Sequence, residues 1–138
     1  MTSNEWYSKG VVLHELRRFA EALDAYNRAL EISPDNAKIL FSKGMVLKSL
    51  FRYNEALDAF NRSLEINPTD AKTWYSKAEL LLGLMQYREA LDAFCQATYL
   101  APEDPEVWYR RGMGLREMKA YEEAMDDFEK AIRLYEKN

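Results

Sequence analysis

The sequence predicts an all-α solenoid of stacked helix–turn–helix units, and three observations predict it. The first is a 34-residue period. Trp6, Lys9, Gly10, Leu13, Ala22, Tyr26, Ala29 and Pro34 are answered 34 positions on by Leu40, Lys43, Gly44, Leu47, Ala56, Phe60, Ser63 and Pro68. The same roles return at Trp74, Lys77, Ala78, Leu81, Ala90, Phe94, Ala97 and Pro102, and then at Trp108, Arg111, Gly112, Leu115, Ala124, Phe128 and Ala131. A fixed period in this range marks repeats that stack on one another. The second observation is the spacing inside each unit: Trp6, Gly10 and Leu13 recur at i, i+4 and i+7, which is one helical face. The third is the proline near the end of the first three units. It lacks a backbone donor and turns the preceding residue away from helix, so each unit stops in the same way.

Taken in order, Thr2-x-x-Glu5 is a capping-box pattern that starts the first helix near Ser3. That helix is predicted over 3–16, with the small Gly10 letting its partner approach closely. The second is predicted over 20–33, with Ala22, Leu23, Tyr26, Ala29 and Leu30 inward. Asp35, Thr69 and Asp104 read as N-caps of the later first helices. Pro105 stands at a first helical turn, where proline is tolerated. The remaining helices are predicted over 37–50, 54–67, 71–84, 88–101, 105–118 and 122–136. No single pair can bury its apolar face alone, so each needs a neighbour.

The composition narrows the function. At 138 residues the chain has one domain's worth of sequence, and 48% hydrophobic content is ordinary for a folded protein. No apolar run approaches the roughly 18 residues of a membrane helix. Met1–Val12 has no apolar core of a signal peptide. The single cysteine, Cys95, makes no internal disulfide and fits a reducing, cytoplasmic setting. Net charge of −4, without a basic cluster, argues against nucleic acid as partner.

The repeated residues resemble the tetratricopeptide repeat, a 34-residue helix–turn–helix with W-x2-L-G-x2-Y, A-x3-F and P. The resemblance covers Ser3–Asn36, Ala37–Asp70, Ala71–Asp104 and Pro105–Asn138, all but the first two residues. Three departures stand out. Position 7, usually Leu, is Lys9, Lys43, Lys77 and Arg111; the small residue after it is Ala78 in the third copy; and Glu136 replaces the last stop proline. The resemblance implies a right-handed α-solenoid, a single domain over residues 1–138, and a concave groove lined by the first helices. It also implies a non-enzymatic adaptor that binds a protein or peptide segment in that groove. Family members usually place ligand contacts at positions 2, 5, 9, 12 and 13. Here those positions supply Tyr7, Val11, Lys38, Phe41, Met45, Lys48, Lys72, Tyr75, Glu79, Tyr109, Met113 and Arg116 as candidate contacts. Tyr7, Phe41, Tyr75 and Tyr109 form an aromatic row beside Val11, Met45 and Met113, and such residues are enriched at recognition surfaces. Tyrosine at position 5 is common in the family, so the row also reads as scaffold. Lys38, Lys48 and Lys72 favour acidic neighbours in the bound segment, while Glu106 and Glu117 stand at the far end. The family's carboxylate clamp is missing: its five positions read Tyr7, Val11, Ser42, Lys72 and Ser76, with one match.

No residue set points to catalysis, a metal or a cofactor. His14 and Cys95 lie two repeats apart, and one His with one Cys builds no usual zinc site. The acidic run from Glu122 to Glu129 sits in a helix, not in a calcium loop. The basic row at position 7 is expected to reach Glu at position 19 or Asp at position 22, since an unpaired charge beside the core is costly. The last helix presents Met125, Phe128, Ile132 and Tyr135. Either a longer repeat array continues over that face, or a second copy pairs with it, which makes structural self-assembly the alternative function.

Overall fold

The computed structural model describes residues 1–137. Its described residues form eight helices and no strand: α1 (Ser3–Glu15), α2 (Phe19–Ile32), α3 (Ala37–Ser49), α4 (Tyr53–Ile66), α5 (Ala71–Gly83), α6 (Tyr87–Leu100), α7 (Pro105–Glu117) and α8 (Tyr121–Glu136). Every predicted helix is present. The first helices end one residue earlier than predicted, and the second helices start one earlier.

The caps explain the starts. Thr2 Oγ1 accepts from the Glu5 amide at 3.1 Å, and Glu5 Oε1 accepts from the Thr2 amide at 3.1 Å, a complete capping box. Asp104 caps α7 as predicted, through the Glu106 amide. Two caps differ: Asn36 and Asp70 cap α3 and α5, not Asp35 and Thr69. In each case the following residue has the shorter path to the first free amides, those of Ile39 and Lys72.

One device recurs that the composition hides. Arg17, Phe51, Met85 and Lys119 all have φ between 61° and 65°, the left-handed region that usually selects glycine. Each sits just after a first helix. There the Arg17 amide donates to the His14 carbonyl and the Arg18 amide to the Leu13 carbonyl, and the other three turns repeat this bond pair. These two bonds are the Schellman closure, which satisfies carbonyls the helix end leaves open.

The helices form two compact units, Met1–Pro68 and Thr69–Asn138. In the first unit, the rings of Tyr26 and Phe60 are fully buried against Gly10 and Gly44. A Cβ at either glycine would stand 2.5–2.6 Å from the ring. The second helix therefore packs on bare backbone of the first. In the second unit, Phe128 lies on Gly112 in the same way. Phe94 shares a buried cluster with Ala78, which carries a Cβ where the other repeats have none. The Cε2 edge of Phe94 also meets Gly114, where a Cβ would be 2.5 Å away. Gly114 stands at position 10 of its repeat, which holds the buried Val46 and Leu80 in the two preceding copies.

Candidate functional site

Each unit presents its first helices as one face, and the candidate contacts fall on these helices. On α1 and α3, Tyr7, Val11, Phe41, Met45 and Lys48 are half-buried and Lys38 is exposed. Tyr7 packs on Tyr26 with centroids 5.8 Å apart, and Phe41 on Phe60 at 5.7 Å. The aromatic row thus forms the outer layer of the core as well as a surface. Lys38 Nζ sits 4.7 Å from the centre of the Tyr7 ring. This cation–π contact fixes a positive charge over the aromatic face. At the far end of the unit, His14 meets Phe19 edge-on at 5.4 Å. Burial holds the His14 imidazole below its usual value, against the opposing pull of Glu15.

On α5 and α7 the face is different. Tyr75 is buried, with 8% of its surface exposed, so it belongs to the core rather than to the contact surface. Lys72, Arg116 and Tyr109 are exposed, while Glu79 and Met113 are half-buried. Arg110, which the family's contact positions leave out, organises this face. Its guanidinium donates to Glu106 Oε1 at 2.6 Å and to the Glu79 carboxylate at 3.1 and 3.3 Å, and it lies over the Tyr75 ring at 5.2 Å. Burial alone would depress the Arg110 guanidinium, but the bonds to Glu106 and Glu79 outweigh it and raise it above its usual value. Beside it opens a cavity of about 480 Å³, lined by Glu79, Leu82, Gly83, Phe94, Tyr109, Arg110, Met113, Gly114 and Glu117.

The basic row at position 7 behaves unevenly. Arg111 binds the Asp127 carboxylate through both oxygens at 2.7 and 2.8 Å and stacks over Trp108 at 4.9 Å. Asp127 is only 4% exposed. It stands at position 23, not at the expected 19 or 22, and Ala25, Ala59 and Ala93 occupy that position elsewhere. The one arginine in the row coincides with the one aspartate at position 23, a signal readable in the sequence. Lys77 instead lies over Trp74 at 5.3 Å, and burial pulls its ammonium below the usual value while Glu89 partly restores it. Lys9 likewise covers Trp6 at 5.1 Å. Cys95 is exposed, and its sulfur accepts from Arg111 Nη1 at 3.8 Å.

The outer face of α8 carries Met125, Ile132 and Tyr135, each 52–56% exposed. Phe128, expected with them, is half-buried and packs inside its own repeat on Gly112 and, at 6.1 Å, on Tyr109. Among the described residues no group of three His, Cys, Asp or Glu side chains could hold a metal ion. Nor is any described helix long and apolar enough to cross a membrane.

Comparison with known proteins agrees with this geometry. Solved structures similar to the chain include the following three. MamA is 16% identical over 98% of this chain and 79% of its own, with a TM-score of 0.86. MamA from Desulfovibrio magneticus RS-1, from residue 41 to its end, is 22% identical over 99% and 77%, with a TM-score of 0.87. YrrB, described as a TPR protein with an unusual peptide-binding site, is 25% identical over 96% and 68%, with a TM-score of 0.79. No curated protein matches by sequence. A family model described as tetratricopeptide repeat matches residues 3–36, 37–70 and 105–138, and another of the same description matches residues 59–92. With the period, the paired helices and the glycine-backed rings all in place, the chain belongs to the tetratricopeptide repeat family.

Proposed function

We propose that residues 1–138 act as a single, non-enzymatic protein-interaction domain that holds a protein or peptide segment against its first-helix faces. The observation that carries this reading is the cavity on the second unit, where Tyr109, 41% exposed, and Met113 stand beside a charged rim. An apolar recess with a few placed charges is what a side chain of a bound segment needs. Lys38 over Tyr7 supplies a cationic counterpart on the first unit, suited to an acidic residue. YrrB, a TPR protein with a peptide-binding site, supports the reading by likeness. The lone thiol of Cys95 accords with a reducing, cytoplasmic setting. The test pans a random displayed peptide library on the chain. Captured peptides are expected to lose about tenfold or more in affinity when Tyr109→Ala is combined with Met113→Glu, a change of about 1.4 kcal/mol. They are expected to keep their affinity on Ile132→Glu. Capture indifferent to the first pair rules out the first-helix face as the site.

A second reading, self-association through α8, rests on a contrast of exposure. Met125 and Ile132 are 56% and 54% exposed, whereas Leu23 at the repeat position of Met125 is 8% and Thr98 at that of Ile132 is 6%. α2 and α6 each pack against the next first helix, α3 or α7. Light scattering over a dilution series separates the two readings. A dimer that Ile132→Glu dissolves supports pairing through α8, and a monomer at every concentration removes it.

A further inference from the structure

The cavity on the second unit has a shape that its sequence position explains. Leu82 and Gly83 close α5, and Gly114 and Glu117 lie in the last turn of α7. Glycine at 83 and 114 removes two side chains from the same spot. A Cβ on Gly83 would meet nothing within 4 Å, so that side of the recess is open. The fully buried Phe94 ring lies beneath Gly114 at its base. The corresponding place on the first unit, between the ends of α1 and α3, is bordered by His14, Glu15, Lys48 and Ser49 with Phe19 and Phe51, and a cavity of about 370 Å³ remains there. Where α1 ends in His14 and Glu15, α5 ends in Leu82 and Gly83, so two polar side chains are missing from the second recess.

The charge around the recess is one-sided. Its lining has two carboxylates, Glu79 and Glu117, and one cation, Arg110. Arg110 is committed to Glu79 and Glu106. Arg116, also on α7, does not line the recess. Both helices point their C-terminal ends at it, and a helix C-terminus carries partial negative charge that favours a cation. Glu79 takes bonds from a single Arg110 nitrogen and so keeps acceptor capacity. Apolar surface from Leu82, Tyr109 and Met113 beside an anionic rim suits a side chain with a long aliphatic stem and a positive head. An acidic side chain would meet two carboxylates, two helix C-termini and a guanidinium already paired.

From this we infer that the recess between the ends of α5 and α7 receives a lysine or arginine side chain of the bound segment, its stem along Leu82 and Met113 and its head at Glu117 and Glu79. The inference rests on the interaction reading above and names the residue type which that site selects. Peptides enriched from the displayed random library on the full chain are the probe, each resynthesised with its basic residue and with norleucine in its place. The expected result is a lysine or arginine at one fixed position of the enriched set. The norleucine version and the Gly83→Leu and Glu117→Gln variants should each weaken binding about tenfold, with the norleucine version indifferent to Glu117→Gln. Thermal melts of Gly83→Leu, whose new side chain grows into open space, establish that the fold is intact. Peptides that depend on Tyr109 and Met113 but show no basic preference, or bind Gly83→Leu unchanged, overturn the inference and leave the interaction reading standing. A library that yields no binder at all overturns both.

Discussion

In the first unit, Tyr26 and Phe60 each rest on a glycine of their own repeat, and the aromatic at position 5 covers them from outside. In the second, Phe128 on Gly112 under Tyr109 keeps that arrangement, while Phe94 packs with Ala78 and lies also against Gly114. The charged groups differ in the same way. Ion pairs of the first unit lie on its surface: the side chains of Arg28 and Asp24 are 53% and 66% exposed. In the second unit Arg111 meets the buried Asp127, and Arg110 forms half-buried pairs with Glu79 and Glu106. A repeat family thus tolerates exchange of a packing glycine or an apolar contact where a second residue compensates. Compensation, rather than the consensus, opens a recess in the second unit and leaves none of that kind in the first.

Four tests break or sharpen this contrast. The largest effect is expected for Arg111→Ala, which strands the buried Asp127 carboxylate and should cost about 3–5 kcal/mol in urea unfolding. Lys77→Met at the same repeat position should be neutral or stabilising, because Ala93 leaves no buried acid behind and burial already disfavours that ammonium. Equal losses at both sites would erase the difference between the units.

Next comes Gly114→Ala. Its Cβ would stand 2.5 Å from the Phe94 ring, so a loss of about 1–3 kcal/mol is expected from overpacking. Adding Ala78→Gly should recover part of it by giving the Phe94 ring, clustered with Ala78, room to shift away from the new methyl. A double-mutant cycle reads the coupling, and strict additivity would show that Ala78 and Gly114 do not act through the same ring.

A third effect depends on pH. Burial pushes the Tyr26 phenol up to about 12, above its usual value of 10.0. The folded state therefore holds this proton where the unfolded chain has lost it. Stability is full below the unfolded value and falls as pH rises from there toward about 12. Urea midpoints at about pH 9 and about pH 11 should diverge for the native chain, and Tyr26→Phe, which copies the Phe60 and Phe94 solution, should lessen the divergence.

The smallest effect is expected for Gly83→Ala. Nothing lies within 4 Å of the added Cβ, so the helix gains up to about 1 kcal/mol of propensity without a clash. Together with Gly114→Ala it asks whether the two recess glycines serve different ends, one packing and one opening.

Much of this was legible in the sequence. The 34-residue register placed all eight helices, because apolar spacing and proline stops act over a few residues and repeat four times. The capping box at Thr2 and the cap at Asp104 were legible for the same reason. Asn36 and Asp70 were missed by one residue, since adjacent pairs of capping residues, Asp35 with Asn36 and Thr69 with Asp70, compete for the same amides. The candidate contacts fell on the first helices as read, yet Tyr75 proved to be core and Phe128 an internal contact. Burial depends on what the neighbouring helix brings, and position within a repeat does not report that.

The sequence by itself determined the number, order and ends of the helices and the family to which they belong, because those follow from local periodicity and capping. Only the tertiary structure decided where Phe94 packs, which acid Arg111 meets, and how Arg110 joins Glu79 to Glu106. It also decided that Arg17, Phe51, Met85 and Lys119 take a left-handed conformation without being glycine. Each of these outcomes balances a local cost, a strained φ or a desolvated charge, against contacts or hydrogen bonds formed when the chain closes on itself. That balance is set between helices and at their closed ends, where no single stretch of sequence can state it.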